Sequence, residues 1–146
     1  MIVDSSALIS ALLLEPGSER IFELLGEYGG QIPAPILVEA RMVARSKAGS
    51  GGVRRLEGII RQFRLGVTPF DLEQADVASS AHISYGRGTG HPARLNLGDT
   101  YSYALAYVRD EPLLFVGDDF GRTDIRSALE EYGEEYGEAY GDDHAR

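Results

Sequence analysis

Acids at four places in this chain, one of them an adjacent pair, have the type and setting for metal-assisted chemistry. They are Asp4 in Met1-Ile2-Val3-Asp4-Ser5-Ser6, Glu39 in Ile36-Leu37-Val38-Glu39-Ala40, Asp99 in Asn96-Leu97-Gly98-Asp99, and the pair Asp118-Asp119 after Leu113-Leu114-Phe115-Val116-Gly117. Packed together without a counter-charge, such acids repel one another, and some take up protons with coupled titration. A divalent cation relieves this. All-carboxylate ligation suits hard Mg²⁺ or Mn²⁺, with retained waters completing an octahedral shell. A metal held in this way takes further ligands from phosphate oxygens, lowers the pKa of a bound water and stabilises charge on a phosphoryl group. With basic surface nearby, the expected substrate is a nucleic acid.

These acids need elements to carry them. Ile2 to Asp4 reads as a short buried strand, and Ser5-Ser6 caps a helix that Glu15-Pro16-Gly17 stops. A strand ending in an acid and followed at once by a capped helix is how α/β domains place a group at the carboxyl edge of a parallel sheet. Asp99 opens an amphipathic helix over 99–108, where the macrodipole and unpaired N–H groups favour a negative charge. Leu113 to Val116 is a continuous apolar strand expected to be buried on both faces, with Asp118 and Asp119 at its carboxyl end.

Glu39 lies in a helix opened by Pro35 or Ile36, with apolar residues on nearly every bearing, where an acid is costly unless a cation or hydrogen bond meets it. The alternative is an exposed glutamate paired with Arg41 or Arg45. Elsewhere Ser18 caps a second helix ending near Gly29-Gly30, Gly49-Ser50-Gly51-Gly52 reads as a flexible turn before a helix from Val53 to Phe63, and Val67 to Phe70 as a strand. Asp71 caps a helix from Leu72 to about Tyr85, and Thr123 a final turn from Asp124 to Leu129.

Composition bounds the function classes. At 146 residues and 43% hydrophobic content the chain fits one domain with a sizeable core. No segment approaches the roughly 18 apolar residues of a membrane helix. No basic region precedes an apolar block, so no signal peptide is expected. The absence of cysteine excludes disulfides and thiolate metal sites and fits a cytoplasmic setting. The net charge of −9 comes mostly from residues 127–146, whose seven acids face one arginine. Upstream, Arg41, Arg45, Lys47, Arg54, Arg55, Arg61 and Arg64 gather in one stretch against Glu57 alone, a basic face or a solvated helix surface.

The segment Gly86 to Arg94 is rich in glycine, but it follows a helix where a dinucleotide fingerprint needs a strand, and it lacks the lysine of a P-loop. Arg87, His91 and Arg94 there are candidate contacts to an RNA backbone, unless the loop is simply mobile. Ser5 and Ser6 do not sit in a nucleophile elbow. Residues 130–146 repeat Glu-Tyr-Gly-Glu. Glycine at every fourth position costs a helix about 1 kcal/mol each. The tail is therefore expected to be disordered in isolation, as a solubilising extension or a cover for basic surface.

Taken together, Ile2-Val3-Asp4-Ser5-Ser6-Ala7-Leu8, the helical Glu39, Gly90 to Asp99 with Tyr101 to Ala106, and Pro112 to Ile125 with Gly117-Asp118-Asp119-Phe120 resemble a PIN-domain ribonuclease of the VapC toxin type. The resemblance covers residues 1–129, which form the expected nuclease domain. It implies a PIN-like three-layer α/β/α sandwich around a central parallel sheet, Mg²⁺-dependent cleavage of RNA with Mn²⁺ as a substitute, a VapB-like antitoxin and a homodimer. It also implies Asp4 and Asp99 as main metal ligands, with Glu39 and one of Asp118 and Asp119 completing the site. Asp119 is favoured because the family keeps an acid immediately before the phenylalanine, and Ser6 would orient Asp4. Relatives often carry a lysine or another polar residue where Val116 stands, so one contact is missing here.

Rival readings are a binding module that keeps the fold and binds RNA without metal, and two other α/β enzymes. A phosphotransfer receiver needs a lysine near its acids, and the only lysine is Lys47; a haloacid-dehalogenase-like phosphatase needs a second aspartate where Ser6 stands. The segment from Arg41 to Phe63 is the expected antitoxin contact, as a helix in a groove.

Overall fold

The computed structural model describes residues 1–133. Four short strands, β1 (Ile2–Val3), β2 (Gln31–Pro33), β3 (Gly66–Thr68) and β4 (Leu113–Leu114), form one parallel sheet in the order β3-β2-β1-β4. The α/β class expected from the sequence is the one observed. The helices are α1 (Ser5–Leu12), α2 (Ser18–Tyr28), α3 (Ala34–Gln62), α4 (Leu72–Tyr85) and α5 (Leu97–Arg109). None is long and apolar enough to cross a membrane among the described residues.

Period-two alternation along the strands divides the interior into two cores. Val3 and Leu114 face one core with α1, α2 and α3, whereas Ile2 and Leu113 face the other with α4 and α5. These two apolar layers, one on each face of the sheet, make the three-layer sandwich. The chain leaves β1 toward β2 and β3, then crosses back to β4 on the other side. A crevice therefore opens beyond the carboxyl ends of β1 and β4, where the strand order reverses.

Several local expectations are corrected. Asp4, not Ser5-Ser6, caps α1, its side chain accepting from the Ser6 N–H, and Gly17, not Ser18, precedes α2 in a left-handed conformation. Residues 49–52 are not a flexible turn. Only Gly49 leaves helical geometry (φ 64°, ψ −158°), and helix resumes at once on both sides. The two arms of α3 fold back on each other, because Arg41 Nε reaches Glu57 Oε1 at 2.7 Å across sixteen residues, a span a straight helix would hold about 24 Å apart. β4 pairs only over Leu113–Leu114. Val116 is 42% exposed, because its N–H turns away to a side chain described below.

Asn96 caps α5 in a reciprocal capping box with Asp99, so the helix begins at Leu97, two residues before the expected start. After a short 3-10 turn at Phe120–Arg122, Ser127 rather than Thr123 precedes the last helix, over 128–133. Residues 130–133 are thus helical, with Tyr132 stacked on Tyr28, and the expected disorder of the tail concerns residues 134–146, outside the described residues.

Candidate active site

Asp4 follows β1 directly and is 3% exposed, a burial a carboxylate tolerates only with hydrogen-bond donors around it. It has three. Ser6 supplies both its N–H (3.0 Å) and its hydroxyl (2.7 Å) to Oδ2, and fully buried Ser102 of α5 donates to Oδ1 at 2.5 Å. The Ser6 hydroxyl in turn accepts the Val116 N–H at 3.0 Å, which ties the chain after β4 to the end of β1. Ser6 therefore stands where the resemblance puts it, on the first acid.

Glu39 comes in from the first arm of α3, half-buried rather than enclosed. Val38 and Met42 beside it are exposed, so its apolar neighbours are not all core. The Ser5 hydroxyl donates to Oε1 at 3.0 Å, and Arg41 is committed to Glu57, so the alternative of a glutamate paired with that arginine is not realised. Burial raises the Glu39 pKa above the ordinary carboxylate value, the Ser5 hydrogen bond opposes that, and the charge of Asp4 adds to it. Gly98 makes this approach possible. A Cβ there would overlap Glu39 Oε2, so the start of α5 presses against the Glu39 carboxylate.

Asp99 is the third residue of α5, accepting the Asn96 N–H at 3.0 Å in the capping box. Its pKa is pushed up to about 6, first by burial and then by the charges of Asp4, Asp119 and Glu39, against the lowering effect of that hydrogen bond. One carboxylate from each of four segments thus acts on one spot. Of the adjacent acids it is Asp119 whose charge reaches Asp99; Asp118 lines a separate cavity instead. Among the described residues none of these four acids is paired with a lysine or arginine. Among those residues no cation compensates the repulsion, and an oxygen-only donor set of this kind fits a hard cation. Among the described residues no three such side chains are gathered closely enough to grip an ion as they stand. Mg²⁺ is commonly held by one or two carboxylates and its own waters, which asks for no closed cage.

The loop candidates divide. Arg87 and Arg94 are exposed, whereas His91 is engaged structurally, its Nδ1 accepting the Ala93 N–H at 3.0 Å and its ring packing edge-on to Tyr85. The loop itself is pinned at its base by Arg87 N–H to Leu95 O and Leu95 N–H to Tyr85 O, both 2.9 Å. Sequence reasoning missed Ser5, Gly98 and Ser102. Ser102 lies three residues after Asp99, a spacing that places both on one face of a helix and that would have identified it.

A family model described as PIN domain matches residues 1–126. Among curated proteins, the VapC ribonuclease Mb2780c of Mycobacterium bovis and Ribonuclease VapC42 of Mycobacterium tuberculosis are each 45% identical over 129 residues, covering 88% of this chain and 98% of the relative. Ribonuclease VapC28 of Mycobacterium tuberculosis is 39% identical over 131 residues, 89% of this chain and 98% of its own. The crystal structure of Mycobacterium tuberculosis VapC20, described as a sarcin-ricin loop cleaving toxin, superposes with a TM-score of 0.67 at 12% identity, covering 85% of this chain and 95% of that one. At that identity the likeness is one of fold.

Proposed function

The chain belongs to the PIN domain family, and from that membership and its converging acids we propose that it is a metal-dependent endoribonuclease, the toxin of a VapB-like antitoxin. The observation that carries the reading is the uncompensated charge at Asp99, on which the charges of Asp4, Glu39 and Asp119 act with no basic partner among the described residues. Asp4, Asp99 and Asp119 would hold Mg²⁺ or Mn²⁺, with Glu39 beside them. When bound, the metal supplies an activated water and stabilises the charge that builds on the phosphoryl group.

The chain's own residues supply the rest. Ser6 and Ser102 hold both Asp4 oxygens in place, the α5 N-terminus favours negative charge at Asp99, and Ser5 holds one oxygen of Glu39. Glu39, with its pKa raised, is suited to take a proton from an attacking water. The exposed cations along both arms of α3 suit the phosphate backbone of RNA or the acidic surface of an antitoxin. We further propose a homodimer acting in the cytoplasm.

The test is cleavage of a mixture of structured RNAs by the purified protein with Mg²⁺, with Mn²⁺ and with chelator, beside Asp4→Asn and Asp99→Asn. Metal-dependent cutting that both variants abolish is the expected result. Cutting that survives chelation or both substitutions would overturn it, and tight RNA binding with no cutting by any version would favour a binding module that keeps the fold.

A further inference from the structure

Two adjacent acids, Asp118 and Asp119, follow β4, and the structure separates them. Asp119 acts on Asp99, while Asp118 lines a cavity of about 530 Å³. That cavity adjoins the carboxylates through Val116, which lines it and whose N–H donates to the Ser6 hydroxyl held on Asp4. Its walls also include Arg122, Phe115, Leu129 and Glu130. Asp118 and Arg122 are both exposed and carry opposite charges, yet they form no ion pair with each other, and among the described residues neither has another charged partner. The cavity thus offers an open set of donors and an open set of acceptors, together with apolar lining from Phe115, Val116 and Leu129.

We infer that this cavity is a nucleobase pocket that takes a guanine of the RNA next to the bond cut at the carboxylates, with Asp118 and Arg122 reading its two edges. The inference rests on the ribonuclease reading above. Two carboxylates, Asp118 and Glu130, disfavour a phosphate in the cavity, so the ligand is a neutral group that both donates and accepts. Arginine pairs in a bidentate way with the guanine O6 and N7 acceptors, and a carboxylate accepts from ring N–H and exocyclic amino groups. Guanine alone combines these edges, since adenine puts an amino donor beside N7 and pyrimidines have no N7. Single-stranded RNA delivers such a base, because its unstacked bases splay out and are read on these edges. The cavity volume falls in the range of about 300–1,000 Å³ usual for small-ligand sites.

The experiment measures binding of the full chain, in chelator so that nothing is cut, to short fluorescein-labelled oligouridines with one central guanine, inosine, 7-deazaguanine or adenine. Inosine lacks the amino group and 7-deazaguanine lacks N7. The wild-type chain is expected to bind the guanine probe about tenfold more tightly than the inosine or 7-deazaguanine probe, the size of one lost hydrogen bond to a charged group, and to discriminate further against adenine, which loses both edges. Asp118→Ala should bind guanine and inosine alike while still disfavouring 7-deazaguanine, and Arg122→Ala should show the reverse. Thermal melts of both variants confirm that they are folded. Equal binding of all probes by the wild type, or variants that keep both penalties, overturns the pocket. Guanine preference without metal-dependent cutting would leave the pocket standing and sink the ribonuclease reading. Cutting without guanine preference would do the opposite.

Discussion

The Ser102 hydroxyl donates to Asp4 Oδ1 at 2.5 Å, joining α5 to the end of β1 across 98 positions of sequence. Both groups are buried, and Ser102 lies one turn beyond Asp99 on the same helix. The bond therefore fixes the first and third acids relative to each other. Ser102→Ala should weaken Mn²⁺ binding by about ten- to a hundredfold, the usual loss when a partner of a metal ligand is removed. Calorimetric titration of Mn²⁺ into the variant checks this. An unchanged affinity in a variant that melts normally would show that Asp4 is held well enough by Ser6 alone.

The raised pKa of Asp99 gives a pH dependence with a definite sign. The folded group holds its proton up to about 6, whereas the unfolded one releases it near an ordinary aspartate value. Between these pH values the folded state binds more protons, so without metal this group makes stability fall as pH rises from about 4 to about 6, then level off. Asp99→Asn removes the charge and keeps an acceptor for the Asn96 N–H. In chelator it should melt above the wild type at pH 8, by about 1–2 kcal/mol after allowance for partial exposure, with the gap closing toward pH 4. Melts at several pH values decide it, and a variant less stable at pH 8 would refute a charge destabilised there by burial and by the neighbouring acids.

Gly98→Ala separates stability from activity. Alanine in the first turn of α5 should be neutral or favourable to the helix by up to about 1 kcal/mol. Its methyl group, however, meets Glu39 Oε2. Displacing that carboxylate by even an ångström should lower the cleavage rate by about ten- to a hundredfold. Single-turnover assays beside thermal melts test the split, and full activity would mean that Glu39 can move aside without cost.

The hairpin in α3 rests on close approach rather than on its ion pair. A Cβ on Gly52 would lie 2.6 Å from Ala48 Cβ and 2.7 Å from Ala44 O, so Gly52→Ala should destabilise the fold by about 1–3 kcal/mol. Arg41→Ala breaks only a solvent-exposed pair with Glu57 and should cost less than about 1 kcal/mol. Urea denaturation of the two variants ranks them, and the reverse order would contradict this account.

The legible parts of this protein were those written in local pattern. Apolar runs at Ile2-Val3 and Leu113-Leu114 marked β1 and β4, and Asp71 announced α4 through its cap on Gln74. Capping chemistry was read less well where a better acceptor stood next door. Asp4 outcompeted Ser5 and Ser6 at α1, and Asn96 took the cap of α5, because each already lay in extended backbone one residue before its helix. The glycines at 49–52 misled because composition alone cannot show that a single residue absorbs the whole reversal while Gly52 packs against Ala44.

By itself, the sequence determined the α/β class and the acids that could share a metal, since strand and helix periods and residue chemistry are local properties. Which of Asp118 and Asp119 acts on the charge of Asp99, which serines hold Asp4 and Glu39, and where a cavity opens beside them were decided only in the tertiary structure. Those relations join segments as far apart as β1 and α5. They depend on how two cores, built on opposite faces of one short sheet, set the distance and rotation of each helix, and no stretch of sequence carries that information on its own.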